Sequence, residues 1–170
     1  MIIRPTTADD VPEITEIYTY HVLHGTATFE IDPPSVEEMG VRRAAIVDCR
    51  LPYMVAVLDG IIAAYAYAAP YRPRPAYRFT VEDSIYVRPG YAGRGVGKQL
   101  LTQIIREAEA AGMAQMIAVI GDSANIASIK LHRSLGFQDT GVLRNVGFKF
   151  NRWLDTVLMQ RALGESHHVA

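Results

Sequence analysis

The 170-residue sequence has a single cysteine, Cys49, and no excess of either charge, since 17 Lys and Arg residues face 18 Asp and Glu residues. One cysteine excludes an intramolecular disulfide and a zinc site built on cysteine pairs. A net charge of −1 argues against a dedicated nucleic-acid binder, whose phosphate contacts demand a basic excess. No apolar run is long enough to cross a bilayer, and no signal peptide opens the sequence. We therefore expect a cytoplasmic protein that binds neither nucleic acid nor membranes.

The composition is that of an ordinary globular domain. Hydrophobic residues make up 49% of the chain and charged residues 21%, which excludes disorder and low complexity. There is no internal repeat and no linker rich in Pro, Gly or Ser. We expect one domain over residues 1–163, a disordered tail over residues 164–170, and no metal site.

Local patterns predict an α/β protein. Thr7 with Asp10 and Ser35 with Glu38 are capping-box signals for two helices. Asp59-Gly60 is a type I′ turn signal between two apolar runs, which predicts a β-hairpin. The remaining predicted elements are a strand over 78–87, a helix over 96–111 that ends at Gly112, a strand over 116–120, a helix over 125–135 and a closing β segment over 148–159. Helices between strands indicate a mixed sheet, antiparallel early and parallel where helices connect strands.

A run of glycines precedes the third predicted helix, in the segment Gly93-Arg94-Gly95-Val96-Gly97-Lys98. Glycine leaves the backbone bare, so a ligand can approach the N–H groups closely. The helix that follows directs the positive end of its dipole to the same place. Together these features predict a phosphate or pyrophosphate site.

Three other interpretations of the glycines are weaker. A P-loop needs Gly and Ser or Thr at the positions that Ala92 and Gln99 occupy. A dinucleotide fingerprint needs Gly in place of Lys98, and it normally follows the first strand of a βαβ unit. A tight turn alone does not need three glycines in five residues.

The loop and four other segments resemble one branch of the GNAT N-acetyltransferase superfamily, the phosphinothricin and methionine-sulfoximine acetyltransferases. The segments are 25–30 (GTATFE), 80–87 (TVEDSIYV), 88–97 (RPGYAGRGVG), 125–137 (NIASIKLHRSLGF) and 146–155 (VGFKFNRWLD). The resemblance covers nearly the whole chain. It implies a mixed, mostly antiparallel sheet flanked by helices, central strands that splay at an acetyl-CoA site, and a homodimer.

The resemblance also assigns the residues that contact acetyl-CoA. The strand Ile85-Tyr86-Val87 pairs with the pantetheine arm, and the Val87 amide is the donor for the oxyanion. The main chain of Gly93, Arg94, Gly95, Val96, Gly97 and Lys98 holds the pyrophosphate. Asn125 either bonds the pantetheine or only caps the helix that it begins, and Ser128 is a further cofactor-binding candidate. The family loop usually begins with Arg or Gln, whereas this sequence has Ala92. We expect the amides to keep the cofactor, although less tightly.

Acetyl transfer to an amine needs a base that removes a proton before attack. Glu82, on the strand that leads into the glycine loop, is the best candidate, and partial desolvation would raise its pKa toward neutrality. Strand alternation turns Asp83 to the other face, as a neighbour rather than a partner. Tyr86 and His132 are both open candidates for a general acid.

The acceptor amine needs its own contacts. Arg72 and Arg78 flank a proline-rich loop before Glu82, and a guanidinium can hold a carboxylate or phosphinate bidentately. Phe29 is a candidate pocket wall, and Arg74 is expected to be a surface residue. Trp153 is expected to serve packing.

The sequence therefore predicts an acetyl-CoA-dependent N-acetyltransferase. Its expected acceptor is a small amino-acid-like amine such as phosphinothricin, methionine sulfoximine or methionine sulfone, attacked directly in a ternary complex without an acyl-enzyme. Two alternatives stay open. One is acetylation of a protein N-terminus, a polyamine or an aminoglycoside, and the other is a non-catalytic module that senses acyl-CoA.

Overall fold

Seven strands form one mixed sheet in the computed structural model, which describes residues 1–164. The strands are β1 (Ile2–Pro5), β2 (Tyr53–Leu58), β3 (Ile61–Pro70), β4 (Thr80–Val87), β5 (Gln115–Gly121), β6 (Gln138–Lys149) and β7 (Arg152–Ala162). The helices are α1 (Val11–His24), α2 (Val36–Asp48), α3 (Val96–Ala110) and α4 (Ile126–Ser134). Single 3-10 turns lie at Ala8–Asp10 and Pro75–Tyr77.

The sheet order is β1-β2-β3-β4-β5-β7-β6. Among the strands of residues 1–164, only the central pair β4–β5 is parallel, because α3 connects these two strands and returns the chain to the same end of the sheet. The predicted mixed, mostly antiparallel sheet is confirmed.

Helices cover both faces of the sheet. On β4, the side chain of Tyr86 contacts Tyr18 of α1, with ring centres 5.0 Å apart. The neighbouring side chains of Ile85 and Val87 point the opposite way, toward Gly97 of α3. The core between these layers contains fully buried side chains from β3, β5, α1 and α3, among them Tyr65, Met116, Ile14, Ile17, Leu100, Leu101 and Ile104.

Several local predictions hold in atomic detail. The Ser35 hydroxyl accepts a hydrogen bond from the Glu38 N–H at 3.1 Å and so caps α2. Asp59 and Gly60 both have positive φ angles, 55° and 80°, as a type I′ hairpin turn requires. Gly112 has a φ of 81° just after α3, where a left-handed residue ends the helix.

The two ends of the sheet differ from the prediction. β1, which the sequence did not reveal, pairs with β2 at one edge. The predicted β segment over 148–159 is interrupted near its start, because Phe150 and Asn151 form a two-residue turn between β6 and β7 with φ angles of 51° and 56°. Neither residue is glycine, so the turn carries no glycine signal. Trp153 does not serve the core: it is 62% exposed, with its ring against Phe148.

Two predictions concern the limits of the chain. The predicted tail falls, apart from Gly164, on residues 165–170, which lie outside the described residues. Within residues 1–164, no helix is both long and apolar enough to span a membrane.

Candidate active site

The pairing between β4 and β5 stops halfway along both strands. Their parallel register runs from Thr80 opposite Gln115 to Asp83 opposite Ala118. Beyond that point β4 is paired only with β3, and β5 only with β7. The facing edges of the two strands are therefore open to a ligand, and the predicted splay is confirmed.

The open edge of β4 presents backbone hydrogen-bonding groups. The N–H of Arg88 donates to the carbonyl oxygen of Ala63 at 2.8 Å, while Val87 lies opposite Ala64. In an antiparallel ladder this geometry makes Val87 part of a non-hydrogen-bonded pair, so its own N–H and C=O point away from β3. The register has no shift, so Ile85 has the same orientation. Both N–H groups and the C=O of Ile85 thus face the gap as the addition of a strand-like ligand requires, whereas the C=O of Val87 is bonded to the ring of His21.

A cleft of about 690 Å³ opens at this gap. It is lined by ten of the predicted cofactor-binding residues, namely Ile85, Tyr86, Val87, Gly93, Gly95, Val96, Gly97, Lys98, Asn125 and Ser128. Arg94 lies outside the lining, where its guanidinium carbon is 5.0 Å from the centre of the Tyr91 ring. The structure thus brings together segments from β4, the glycine loop and α4.

The glycine loop has the backbone geometry of an anion site. Gly93 and Gly95 have φ angles of 77° and 76°, which other residues rarely adopt. The first N–H of the α3 ladder is that of Gln99, which donates to Gly95 O at 3.2 Å, so the earlier amides of the helix have no partner within it. A Cβ at Gly97 would lie in ordinary van der Waals contact with Ile85, Val87 and Leu131, so α3 packs on β4 at this point. The start of α3 therefore directs bare amides at the cleft.

The start of α4 forms another wall of the cleft. The Asn125 side-chain oxygen accepts a hydrogen bond from the Ser128 N–H at 3.3 Å, so Asn125 is the N-cap of this helix. Ser128 lies one turn before His132, and its hydroxyl is 3.3 Å from the His132 Nδ1. Both predicted residues line the cleft, and both also have local roles in α4.

Glu82 lies on the other face of β4 from Asp83, outside the lining of the cleft. Burial is the largest cause that raises its pKa, and the neighbouring charge of Asp83 raises it further, while Arg72 lowers it. The result is a pKa above the ordinary 4.5. A carboxylate of raised pKa is a stronger base, as proton removal from an amine needs.

The predicted acceptor residues do not converge in the cleft. The Arg72 guanidinium lies 5.0 Å from the centre of the Tyr71 ring, and its charge acts to lower the pKa of Glu82. Arg78 is exposed, stacks on Phe79 at 4.6 Å and donates to Pro75 O at 3.3 Å.

Phe29 packs on a different part of the sheet. Its ring occupies the space that side chains at Gly121 and Gly147 would take, beside the open end of β5. Phe29 and Arg72 therefore approach β4 from different elements, the segment after α1 and the loop after β3.

A buried ion pair, which the sequence did not reveal, lies beneath the cleft. Asp83 Oδ2 is 2.9 Å from His132 Nε2, and the two side chains are only 1% and 3% exposed. The other ring nitrogen, Nδ1, is 2.8 Å from the carbonyl oxygen of Ser128, which can only accept. Burial lowers the pKa of His132, but the hydrogen bond and charge of Asp83 and the Ser128 carbonyl together raise it above 6.5. His132 thus bridges α4 and β4 with both ring nitrogens engaged.

Tyr86 belongs to a stack of buried tyrosines on the Glu82 face of the sheet. Its ring is 5.2 Å from that of Tyr65 and 5.0 Å from that of Tyr18. Burial raises its pKa well above 10.0, so the phenol keeps its proton at neutral pH. The Tyr86 hydroxyl is compatible with a proton donor, whereas His132 already directs both ring nitrogens to Asp83 and Ser128.

The comparisons with known proteins identify the family. Residues 15–137 match the model of the Acetyltransferase (GNAT) family. The chain belongs to the GNAT acetyltransferases. It is 53% identical over 161 residues to phosphinothricin N-acetyltransferase from Alcaligenes faecalis, a match that covers 95% of this chain and 82% of that protein. It is 39% identical to L-methionine sulfoximine/L-methionine sulfone acetyltransferase from Salmonella typhimurium, covering 97% and 96% of the two chains.

A solved GNAT structure agrees with the fold described above. The phosphinothricin acetyltransferase from Sinorhizobium meliloti, crystallised with acetyl-CoA, has a TM-score of 0.96 and 48% sequence identity. The match covers 99% of this chain and 91% of that chain. The predicted membership of the GNAT superfamily is confirmed, and so is the resemblance to its phosphinothricin and methionine sulfoximine acetyltransferases.

Proposed function

We propose that this GNAT acetyltransferase transfers the acetyl group of acetyl-CoA to the primary amine of a small amino-acid-like substrate. The expected acceptors are phosphinothricin, methionine sulfoximine and methionine sulfone, in line with the names of its relatives. One observation carries the proposal. The open gap between β4 and β5 adjoins the bare amides at the start of α3, and β4 also carries Glu82, whose pKa is raised.

The cofactor-binding part of the proposal follows the cleft. The amides at the start of α3, from Gly93 to Lys98, hold the pyrophosphate, and they need no side chain from Ala92 to do so. Ile85 and Val87 hydrogen-bond the pantetheine arm through the open edge of β4, with Tyr86 between them. Asn125 and Ser128 contact the arm from α4. The bare amides of the loop fit the anionic pyrophosphate of a long thioester such as acetyl-CoA, and the unpaired edge of β4 fits its pantetheine arm.

The chemical step needs a base and an oxyanion donor. Glu82 takes a proton from the substrate ammonium, directly or through one water, and the neutral amine attacks the thioester carbonyl carbon. The N–H of Val87 donates to the oxygen that becomes negative. Collapse of this intermediate breaks the C–S bond, and the second proton of the amine passes, directly or through water, to the departing thiolate, so that coenzyme A leaves as the thiol. The Ile85 N–H faces the same gap and lies two residues nearer to Glu82, so it is the second backbone candidate.

No covalent acyl-enzyme is part of the proposal. Cys49 is exposed and follows α2, and it does not line the cleft. Direct attack within a ternary complex therefore needs only the groups named above.

Arg72 and Arg78 are proposed to hold the carboxylate or phosphinate of the acceptor. A guanidinium binds such groups through two parallel hydrogen bonds. Arg72 has the stronger case, since its charge already reaches Glu82, and a substrate anion there would place its amine near the base. Arg78 would have to leave Phe79 and Pro75 to take part. Phe29 is proposed as an apolar wall.

We also propose that residues 1–163 act as one domain in the cytoplasm, where acetyl-CoA is available, and as a homodimer. The β6–β7 hairpin supports the dimer, because it exposes large apolar side chains at the edge of the sheet, namely Val142, Leu143, Val146, Phe148, Phe150 and Trp153. Sedimentation of the wild type against Trp153→Lys tests this part: a dimer that dissociates in the variant supports it, and a monomeric wild type contradicts it.

A substrate panel tests the proposed function. Phosphinothricin, methionine sulfoximine, methionine sulfone, simple amino acids, a polyamine, an aminoglycoside and an N-terminal peptide are each incubated with acetyl-CoA, and free thiol is measured. We expect the highest kcat/KM for the first three amines. Faster turnover of a cationic acceptor would support the alternative amine, and acetyl-CoA binding without thiol release would support a sensing module.

A further inference from the structure

The end of α1 and the segment that follows it contact both strands at the mouth of the gap. His21 Nε2 lies 2.9 Å from the carbonyl oxygen of Val87, at the end of β4. Thr26 Oγ1 donates to Asp122 Oδ2 at 3.1 Å, directly after β5. His21 and Thr26 both line the cleft. A single short segment, residues 21–26, thus connects the two separated strand ends.

The contact on the β4 side replaces a sheet hydrogen bond. The C=O of Val87 faces β5, as shown by the pairing of β4 with β3. In a continuous parallel sheet it would accept a hydrogen bond from β5, but here the His21 ring donates to it instead. Because a carbonyl oxygen can only accept, His21 Nε2 carries the hydrogen. Burial lowers the pKa of His21, so the ring makes this hydrogen bond without a net charge at neutral pH.

The contact on the β5 side is equally close. A side chain at Gly121 would collide with the carbonyl oxygen of Thr26, so the backbone of the segment lies directly on the last residue of β5. Asp122 is fixed in turn, since its Oδ1 accepts from the Ala124 N–H at 2.9 Å and its Oδ2 also accepts from the Arg152 guanidinium at 2.7 Å. The end of β5 therefore has a defined position relative to Thr26.

The segment is itself anchored from outside the cleft. Lys149, a buried residue of β6, donates from Nζ to the carbonyl oxygens of Gly25 at 2.8 Å and Thr28 at 2.9 Å. The Gly25 N–H donates to His21 O at 3.0 Å, which continues the α1 ladder to the end of the helix. The segment is thus held without any contribution from a ligand.

We propose that His21 and Thr26 are positioning residues that keep the ends of β4 and β5 apart, so that the gap is already open when acetyl-CoA arrives. The inference rests on the proposed function, because it concerns the same cleft. It assigns these residues no contact with the reacting atoms. Without them, hydrogen bonding of the Val87 C=O to β5 would favour closure of the gap. Binding of the acetyl-CoA arm would then first have to separate the two strands.

The test is the acetyl-CoA dependence of two variants, His21→Ala and Thr26→Val. Each removes one hydrogen bond, so we expect the KM and Kd for acetyl-CoA to rise about three- to tenfold. At saturating acetyl-CoA, kcat and the KM for the amine should stay within about twofold of the wild type, because the reacting groups are unchanged. His21→Gln, whose amide can donate to the same carbonyl, should recover most of the affinity. His24→Ala, an exposed histidine on the same helix, is the matched control.

The outcomes separate this inference from the proposed function. A wild type that neither binds acetyl-CoA by calorimetry nor turns over any amine contradicts the proposed function. If the wild type binds and acts, but His21→Ala and Thr26→Val keep its acetyl-CoA affinity, only the positioning role is wrong. An equal loss of affinity for both substrates, or no recovery in His21→Gln, would indicate general destabilisation and would also overturn it.

Discussion

The two halves of β4 differ in what they present to their surroundings. The first half, from Thr80 to Asp83, is paired with β3 on one side and β5 on the other. The second half, from Ser84 to Val87, is paired only with β3. The paired half carries the two carboxylates, Glu82 and Asp83, and the unpaired half exposes backbone groups to the cleft. A single strand thus carries the proposed base in its paired half and the proposed cofactor-binding peptide groups in its unpaired half.

Within the paired half, the two neighbouring carboxylates have different surroundings. Glu82 has no hydrogen-bonding partner among the described contacts and has a raised pKa, whereas Asp83 is locked to His132. Strand alternation produces this division, since adjacent side chains face different layers. We therefore expect Glu82 to determine turnover and Asp83 to determine stability.

The largest expected effect is the loss of turnover in Glu82→Gln. The amide cannot accept the ammonium proton, so kcat should fall about 100-fold or more, the usual contribution of a general base. The Kd for acetyl-CoA should hardly change, because binding depends on the other half of β4. Steady-state kinetics with calorimetry measure both, and Glu107→Gln on the exposed face of α3 is the control. Unchanged turnover would remove Glu82 from the mechanism.

Asp83→Asn should have its main effect on stability. We expect a loss of about 1–3 kcal/mol in the free energy of unfolding, because His132 loses a buried partner. The pKa of His132 is raised in the folded state, so the pair stabilises fully below about pH 6.5, and this contribution is lost as the pH rises through the folded-state value.

Urea unfolding between pH 5 and 9 measures that difference. The gap between wild type and Asp83→Asn should be widest at the acidic end and should narrow as the pH rises. Asp139→Asn is the control, since its pair with Arg133 is exposed and should contribute less than about 1 kcal/mol. A gap that widens with pH would show that the Asp83–His132 pair is not ionic.

Gly95→Ala tests the binding half at the glycine loop. Alanine is strained at a φ of 76°, so relief of the strain would shift the loop amides that are proposed to bind the pyrophosphate. We expect about tenfold weaker acetyl-CoA binding by calorimetry. Gly112→Ala at the other end of α3 carries similar strain at a φ of 81°. It should therefore lower the free energy of unfolding as much as Gly95→Ala does, without changing the affinity for acetyl-CoA. Equal affinities in the two variants would mean that the loop does not bind the cofactor.

The smallest expected effect is a displacement of the pH profile. Because the pKa of Glu82 is raised, the deprotonated base accumulates only at a pH above its ordinary value of 4.5. The acid limb of kcat should therefore have a midpoint above 4.5 and should be missing in Glu82→Gln. Initial rates at saturating substrates from pH 4 to 8 give the profile. A midpoint at or below 4.5 would contradict the raised pKa.

The sequence by itself determined those features that depend on neighbours along the chain. The Ser35 cap, the Asp59-Gly60 turn and the glycine loop all appear as predicted, because each depends on the conformational preferences of a few adjacent residues. The order of helices and strands indicated a mixed sheet, and the motifs indicated an acetyltransferase. The Phe150-Asn151 turn was missed since two non-glycine residues adopt its left-handed conformation.

Only the tertiary structure decided which distant residues meet. Asp83 and His132 are 49 positions apart, and His21 and Val87 are 66 apart. No local pattern marks either pair, because each contact arises from the way helices pack on opposite faces of the sheet. The open edge of β4 is also a tertiary property: hydrogen-bonding partners on neighbouring elements, and not the strand's own residues, determine which peptide groups stay free for a ligand.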